Sequence, residues 1–215
     1  MLRWDNCEVA ETLDELVNPS SAGLIMWDYA KGLVARAFNR ESFVKRSADL
    51  VNAARACGVP VLYARQSDVT WPEIGGGLIR MRLKPISAEK IARVQSVNRP
   101  NTPEGEFVDE VKPIEGDIIF NKFMPSGFLG TDLEWRLRAR GVKTLVLAGI
   151  SLATGVDGTA REALNRGYYA VIVRDAVSAT SKERYARSLE VCEELHDVFD
   201  SAEVIASWRR SARHA

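Results

Sequence analysis

The sequence predicts a three-layer α/β/α, Rossmann-like architecture around a doubly wound, mainly parallel sheet of about six strands. Three observations predict it. Short, continuous apolar runs recur along the chain, as strands covered on both faces require. Amphipathic stretches of helical length separate them. Glycine closes three of those stretches just before the next run, so the chain turns straight back into the sheet.

The strand runs are Ala22–Asp28, Pro60–Gln66, Asp117–Asn121, Thr144–Ile150 and Tyr169–Arg174, with Glu203–Ile205 as a short edge strand. Helical patterns cover Glu41–Cys57, Asp132–Arg140, Val156–Arg166 and Lys182–Val198. The closing glycines are Gly58, Gly141 and Gly167, where a left-handed C-cap is needed. Thr131 and Glu134 have capping-box spacing, and Ser181 stands where it can cap the helix that starts at Lys182. Ser67–Lys112 breaks the rhythm: Pro72, Gly75–Gly77, Pro85, Pro100 and Pro103 accompany a basic run, IRMRLK. It reads as an insertion that shapes a site or oligomer contact, or as a solvated loop with a short helix near Ala88–Val94.

At 215 residues, the chain fits one domain, 1–215, with 67–112 as its insertion. The 29 basic and 29 acidic residues cancel, so nothing predicts attraction to nucleic acid or an anionic membrane. No apolar run approaches a membrane span, and MLRWDNCEVAETLDEL places acids where a signal peptide needs an apolar stretch. Cys7, Cys57 and Cys192 are odd in number and widely separated, which suits a reducing cytoplasm. The two histidines, His196 and His214, leave few ligands for a metal centre; no metal and no cofactor are expected.

In a doubly wound sheet, ligands bind outside the carboxyl ends of the strands, near the switch in strand order. Asp28, Gln66, Lys122 and Gly149–Gly155 occupy those ends. Asp28 reads either as a partly desolvated general acid or base or as a turn cap, and Lys122 as a charge facing the same crevice or as an exposed lysine. Trp71, Phe123 and Phe128 read as pocket lining or as core or interface. Asp157 reads as a helix N-terminal acid, and Arg161 and Glu162 as residues of an ion pair or a subunit contact.

Three segments, LIMWDYAKGLV, GDIIFNKFMPSGFLGTDLEWRLRARGVKTLVLAG and GISLATGVDGTAREALNRGYYAVIVRDAVSA, together resemble the isochorismatase-like (cysteine hydrolase) superfamily over most of residues 10–205. The resemblance implies a catalytic aspartate at Asp28 and the family lysine at Lys122. It also implies a non-proline cis peptide at Ile150–Ser151 and an assembly of two or four copies. Where C–N hydrolases of the family carry their cysteine nucleophile, this chain has Gly155, and glycine forms no covalent intermediate. Ser151 and Thr154 are hydroxyls of the same loop without a neighbouring histidine in sequence.

True isochorismatases are similar in carrying glycine there, and Gln66 matches a glutamine of that subgroup. The resemblance therefore implies a hydrolase of a small, anionic molecule, with vinyl ether cleavage favoured and Asp28 as general acid beside Lys122. Gln66, Ile150, Ser151, Thr154, Val156, Phe123 and Trp71 are the expected substrate contacts, and backbone N–H groups of Thr154–Val156 an expected anion cradle. The family's D-x-Q is Asp28-Tyr29-Ala30 here, and Arg65, Arg80 and Arg82 are candidates for an anion-binding arginine. Two rivals stand beside this reading: C–N hydrolysis by an activated water, and a non-catalytic scaffold that binds a metabolite.

Overall fold

The computed structural model describes residues 1–67, 71–93 and 101–212, with the side chains at 71, 72, 74, 82 and 91–93 outside the description. In chain order the elements are β1 (Leu2–Trp4), β2 (Cys7–Val9), α1 (Leu13–Leu16), β3 (Ala22–Trp27), α2 (Lys31–Val34), α3 (Arg40–Ala56), β4 (Val61–Gln66), α4 (Trp71–Leu83) and α5 (Ala88–Arg93). There follow β5 (Ile118–Lys122), α6 (Leu133–Ala139), β6 (Thr144–Ile150), α7 (Asp157–Asn165), β7 (Tyr169–Ser178), α8 (Lys182–Leu195), β8 (Asp197–Phe199) and α9 (Ser201–Ala212).

The main sheet has six strands in the order β5-β4-β3-β6-β7-β8, and every neighbouring pair is parallel. From β3 the chain winds outward through β4 to β5. It then returns to pair β6 against the other side of β3 and winds outward through β7 to β8. The switch in direction falls between β3 and β6, where the loops leaving those strands part to opposite sides and open a crevice.

Strand β3 is buried along its whole length, and pleating sends its side chains to two separate cores. Leu24 and Met26 join Phe43, Leu50 and Trp208 under α3 and α9. Ile25 and Trp27 join Leu133, Leu147, Val156 and Ala160 under α6 and α7. A sheet covered on both faces explains why its strands carry so little polar alternation. Tyr29, wholly buried, bonds the Ser47 hydroxyl at 2.7 Å, and burial pushes its phenol far above the ordinary value.

Gly58, Gly141 and Gly167 take the left-handed conformation expected of helix ends, and Ser181 Oγ accepts from the Arg184 N–H at 3.2 Å. Other expectations are corrected. The capping box at Thr131 does not form: the N-cap is one residue later, at Asp132, the helix begins at Leu133, and Glu134 bonds Arg138 and Arg166 instead. Strand β7 runs on to Ser178, because a bulge between Leu147 and Gly149 lets β6 pair again with Val177 and Ser178.

Helix α8 stops at Leu195, since Asp197–Phe199 is drawn onto the edge of β7. Glu203–Ile205 is therefore helix and not edge strand. Its Val204, Ile205 and Trp208 form a buried stripe, and Asp175 accepts from the Ser201 N–H at the helix start. Within the insertion, helix α4 forms despite three glycines, kinked at Gly75 with φ of 77°.

Candidate active site

Asp28 follows β3 with φ of 56°, a left-handed conformation that aspartate tolerates better than most residues. That twist turns its carboxylate out of the pleat and toward the crevice. Two strands away, Lys122 ends β5 in register with Gln66 at the end of β4. The lysine stem spans β4, so Lys122 Nζ lies 2.9 Å from Asp28 Oδ2 and 3.2 Å from Gln66 Oε1. It also stands 4.6 Å from the centroid of the Trp27 ring.

Lys122 is 3% exposed and the Asp28 side chain 14%. A buried ammonium of this kind persists only with a counter-ion and further acceptors, and here the carboxylate, an amide oxygen and an aromatic face supply them. The three sequence-expected residues Asp28, Gln66 and Lys122 are thus brought together.

Beside them opens a small recess lined by Asp28, Ala30, Leu33, Ala64, Arg65, Gln66, Gly105 and Phe107. Its outer wall comes from the insertion: Phe107 forms a bridge with Ala30, the Lys31 N–H bonds Glu106 O at 2.8 Å, and the Val108 N–H bonds Tyr29 O at 3.0 Å. Among the three candidate arginines, Arg65 lies in the recess, its Nε donating to Asn121 Oδ1 at 3.0 Å. Arg80 is exposed and the Arg82 side chain lies outside the described residues.

The far side of the crevice is the loop after β6. The Ile150–Ser151 peptide is cis, and a wide helical turn over Leu152–Val156 leads into α7. The side chains of Ile150 and Val156 are buried in the two cores and are not among those lining the recess. The N–H groups of Thr154 and Val156 both bond Ser151 O at 3.3 Å, so two of the three expected cradle donors are spent within the loop. A helical turn satisfies its own donors first. Ser151 and Thr154 are half-buried. Phe123, 37% exposed, is not part of the recess, Phe128 is core, and the Trp71 side chain lies outside the described residues.

Sequence reasoning missed Trp27, Ala30, Leu33, Gly105 and Phe107. The small and apolar ones carry no chemical signature. Trp27 offers only its bulk, directly before the acid; that its ring meets Gly155 is a tertiary contact.

At the start of α7, Asp157 accepts from Arg161 Nε at 2.9 Å and contacts His196 Nε2 at 3.2 Å. Burial alone would raise the Asp157 carboxyl, but the bonds from His196 and Arg161 outweigh it and hold the group below its ordinary value. Burial, reinforced by Asp157, pushes the neighbouring Cys192 thiol up to about 12, which makes it inert. A depressed carboxylate stabilises the fold fully above its unfolded value, about pH 4, and that stabilisation is lost as pH falls through the lower folded value. Thermal melts between pH 6 and 2.5 should therefore show the parent losing stability more steeply below about pH 4 than Asp157→Asn does.

Among the described residues no three His, Cys, Asp or Glu side chains cluster to hold a metal ion, and no helix is long and apolar enough to cross a membrane.

Three similarities bear on this geometry. Ureidoacrylate amidohydrolase from Methylobacterium radiotolerans is 34% identical over 150 residues, covering 67% of this chain but only 58% of that protein's length. An uncharacterized isochorismatase family protein of Escherichia coli O157:H7 is 32% identical over 176 residues, covering 80% and 88%. The solved structure of a cysteine hydrolase from Pseudomonas syringae pv. phaseolicola superposes with a TM-score of 0.77 at 25% identity, covering 91% of this chain and 96% of that one. The six-stranded parallel sheet is the same fold. With residues 22–203 matching the isochorismatase domain model, the chain belongs to the isochorismatase family of hydrolases.

Proposed function

We propose that this chain hydrolyses a small, anionic molecule by general acid–base chemistry at Asp28, without a covalent intermediate. The observation that carries this reading is the 2.9 Å contact of Asp28 with the buried Lys122 at the switch point of the sheet. Lys122 pairs with Asp28, and a cation at that distance favours the charged form of a carboxyl group. A substrate anion entering the recess adds a second negative charge beside it, and a like charge raises a carboxyl's affinity for a proton. Arg65 takes the substrate's carboxylate, since a guanidinium fork matches that group.

Protonated Asp28 then donates to the enol carbon of a vinyl ether. Water captures the resulting oxocarbenium ion and returns a proton to Asp28, and the hemiketal collapses to an alcohol and a keto acid. The isochorismate type of reaction fits this scheme because it needs an acid and an anion site but no nucleophile.

A second reading follows from the similarity to ureidoacrylate amidohydrolase. There the Asp28 carboxylate draws a proton from a water that attacks a C–N carbonyl, and passes it to the leaving nitrogen. A non-catalytic scaffold is disfavoured, because a pure binder has no need of a buried charged pair that costs desolvation.

A panel of carboxylated enol ethers and ureido acids, with keto acid and ammonia both monitored, tests these readings. We expect keto acid release that survives dialysis against EDTA. Ammonia release would replace the first reading by the second, and binding by calorimetry without either product would sink both.

A further inference from the structure

We infer that Trp27 and Gly155 form a matched pair that closes the nucleophile corner of the crevice, making Trp27 the residue that confines the reacting bond to the Asp28 side. This deepens the reading above and rests on it for the location of the chemistry, but the packing argument stands on the geometry alone.

A Cβ built on Gly155 would overlap the Trp27 indole at Nε1 and Cε2 and lie 2.7 Å from Cζ2. The corner is therefore not merely without a thiol. It is occupied by a ring, and any side chain at 155 would have to displace it. The opposite edge of the ring is confined as well: a Cβ on Gly127 would come 3.1 Å from Trp27 Cζ3 and 3.0 Å from Leu133 Cδ2.

The indole thus sits in a slot between two glycines from different loops. Thr159 ties the slot walls together, its Oγ1 donating to Gly155 O at 2.6 Å and accepting from the Gly127 N–H at 3.1 Å. With Trp27 only 1% exposed and Lys122 Nζ over its ring, the indole has no neighbouring space to swing into.

Two consequences follow. A cysteine at 155 cannot by itself recover thiol chemistry, because its sulfur has nowhere to go. A substrate likewise cannot lie over residue 155, as it would to meet a nucleophile there; it is turned toward the recess bounded by Leu33, Arg65 and Phe107. The pocket so restricted suits a compact carboxylic acid and excludes one with a bulky group on the β6 side.

The test is a double-mutant cycle of Gly155→Cys and Trp27→Val, read by denaturant melts and by maleimide labelling of the folded proteins with the modified peptide located by mass spectrometry. Trp27→Val removes the ring while keeping an apolar, β-branched residue suited to a buried strand. We expect Gly155→Cys alone to be strongly destabilised with its new thiol unlabelled, and the double variant to be the more stable of the two, with coupling of about tenfold or more in the unfolding constant. Its thiol should label at least about tenfold faster than in the single variant.

Additive destabilisation, or a Gly155→Cys protein that keeps parental stability and labels as fast as the double variant, would overturn the inference. So would a double variant that fails to fold while Trp27→Val folds. None of these readouts involves turnover, so a wrong catalytic reading would leave them unchanged.

Discussion

Asp28→Asn is expected to lower kcat by about 10²–10⁴-fold, the contribution usual for a positioned general acid or base, while the protein stays folded. Asparagine is isosteric, and its amide oxygen still accepts from Lys122 Nζ, now 2.9 Å from Asp28 Oδ2. What is lost is the ability to gain and release a proton. Turnover of the best substrate in the panel, with circular dichroism of the same sample, separates the two effects. Activity within about twofold of the parent in a folded Asp28→Asn protein would exclude Asp28 from the chemistry whichever bond is cut.

The largest expected effect on stability belongs to Gly149→Ala. Gly149 has φ of 134°, which a residue with a Cβ adopts only under strain, and it pairs in register with Trp27 on β3. An added Cβ would overlap the Trp27 carbonyl oxygen and lie 2.8 Å from Trp27 C and Cα. These are backbone atoms of a central strand hydrogen-bonded on both sides, so they cannot yield as a side-chain tip could. Strain and overpacking together should cost about 3–6 kcal/mol, enough to leave much of a marginally stable protein unfolded.

Gly58→Ala is the control. Its φ of 74° carries strain of about 1 kcal/mol, but nothing lies within 4 Å of the new Cβ. Urea midpoints of the two variants measure the difference. Similar midpoints would mean that the approach of β6 to β3 is looser than the geometry described.

The contrast between these two glycines shows where the sequence is legible. Gly58, Gly141 and Gly167 each follow a helical pattern and precede an apolar run, so their role is written in local order. Gly149 and Gly155 lie instead at the end of a strand run and in the loop after it, where nothing in local order shows what a side chain would strike. Only the approach of β6 to β3 and of the following loop to Trp27 gives them their roles, since both contacts join segments more than 120 residues apart.

The misplaced edge strand has the same cause. Asp197–Phe199 and Glu203–Ile205 are both short and partly apolar, and the open edge of β7 decides which one becomes a strand. Local propensity cannot settle a contest decided by pairing.

By itself, then, the amino-acid order determined the parallel sheet and its helices, because burial on both faces and helix punctuation are local patterns repeated along the chain. It also brought Asp28, Gln66 and Lys122 to strand ends, since parallel strands end on one side of the sheet. The tertiary structure alone decided that the lysine reaches across β4 to the acid and that the insertion supplies one wall of the recess. It alone decided, too, that a tryptophan fills the place above Gly155. Each of those depends on distances between side chains remote in sequence, and close packing fixes such distances only once the whole chain is folded.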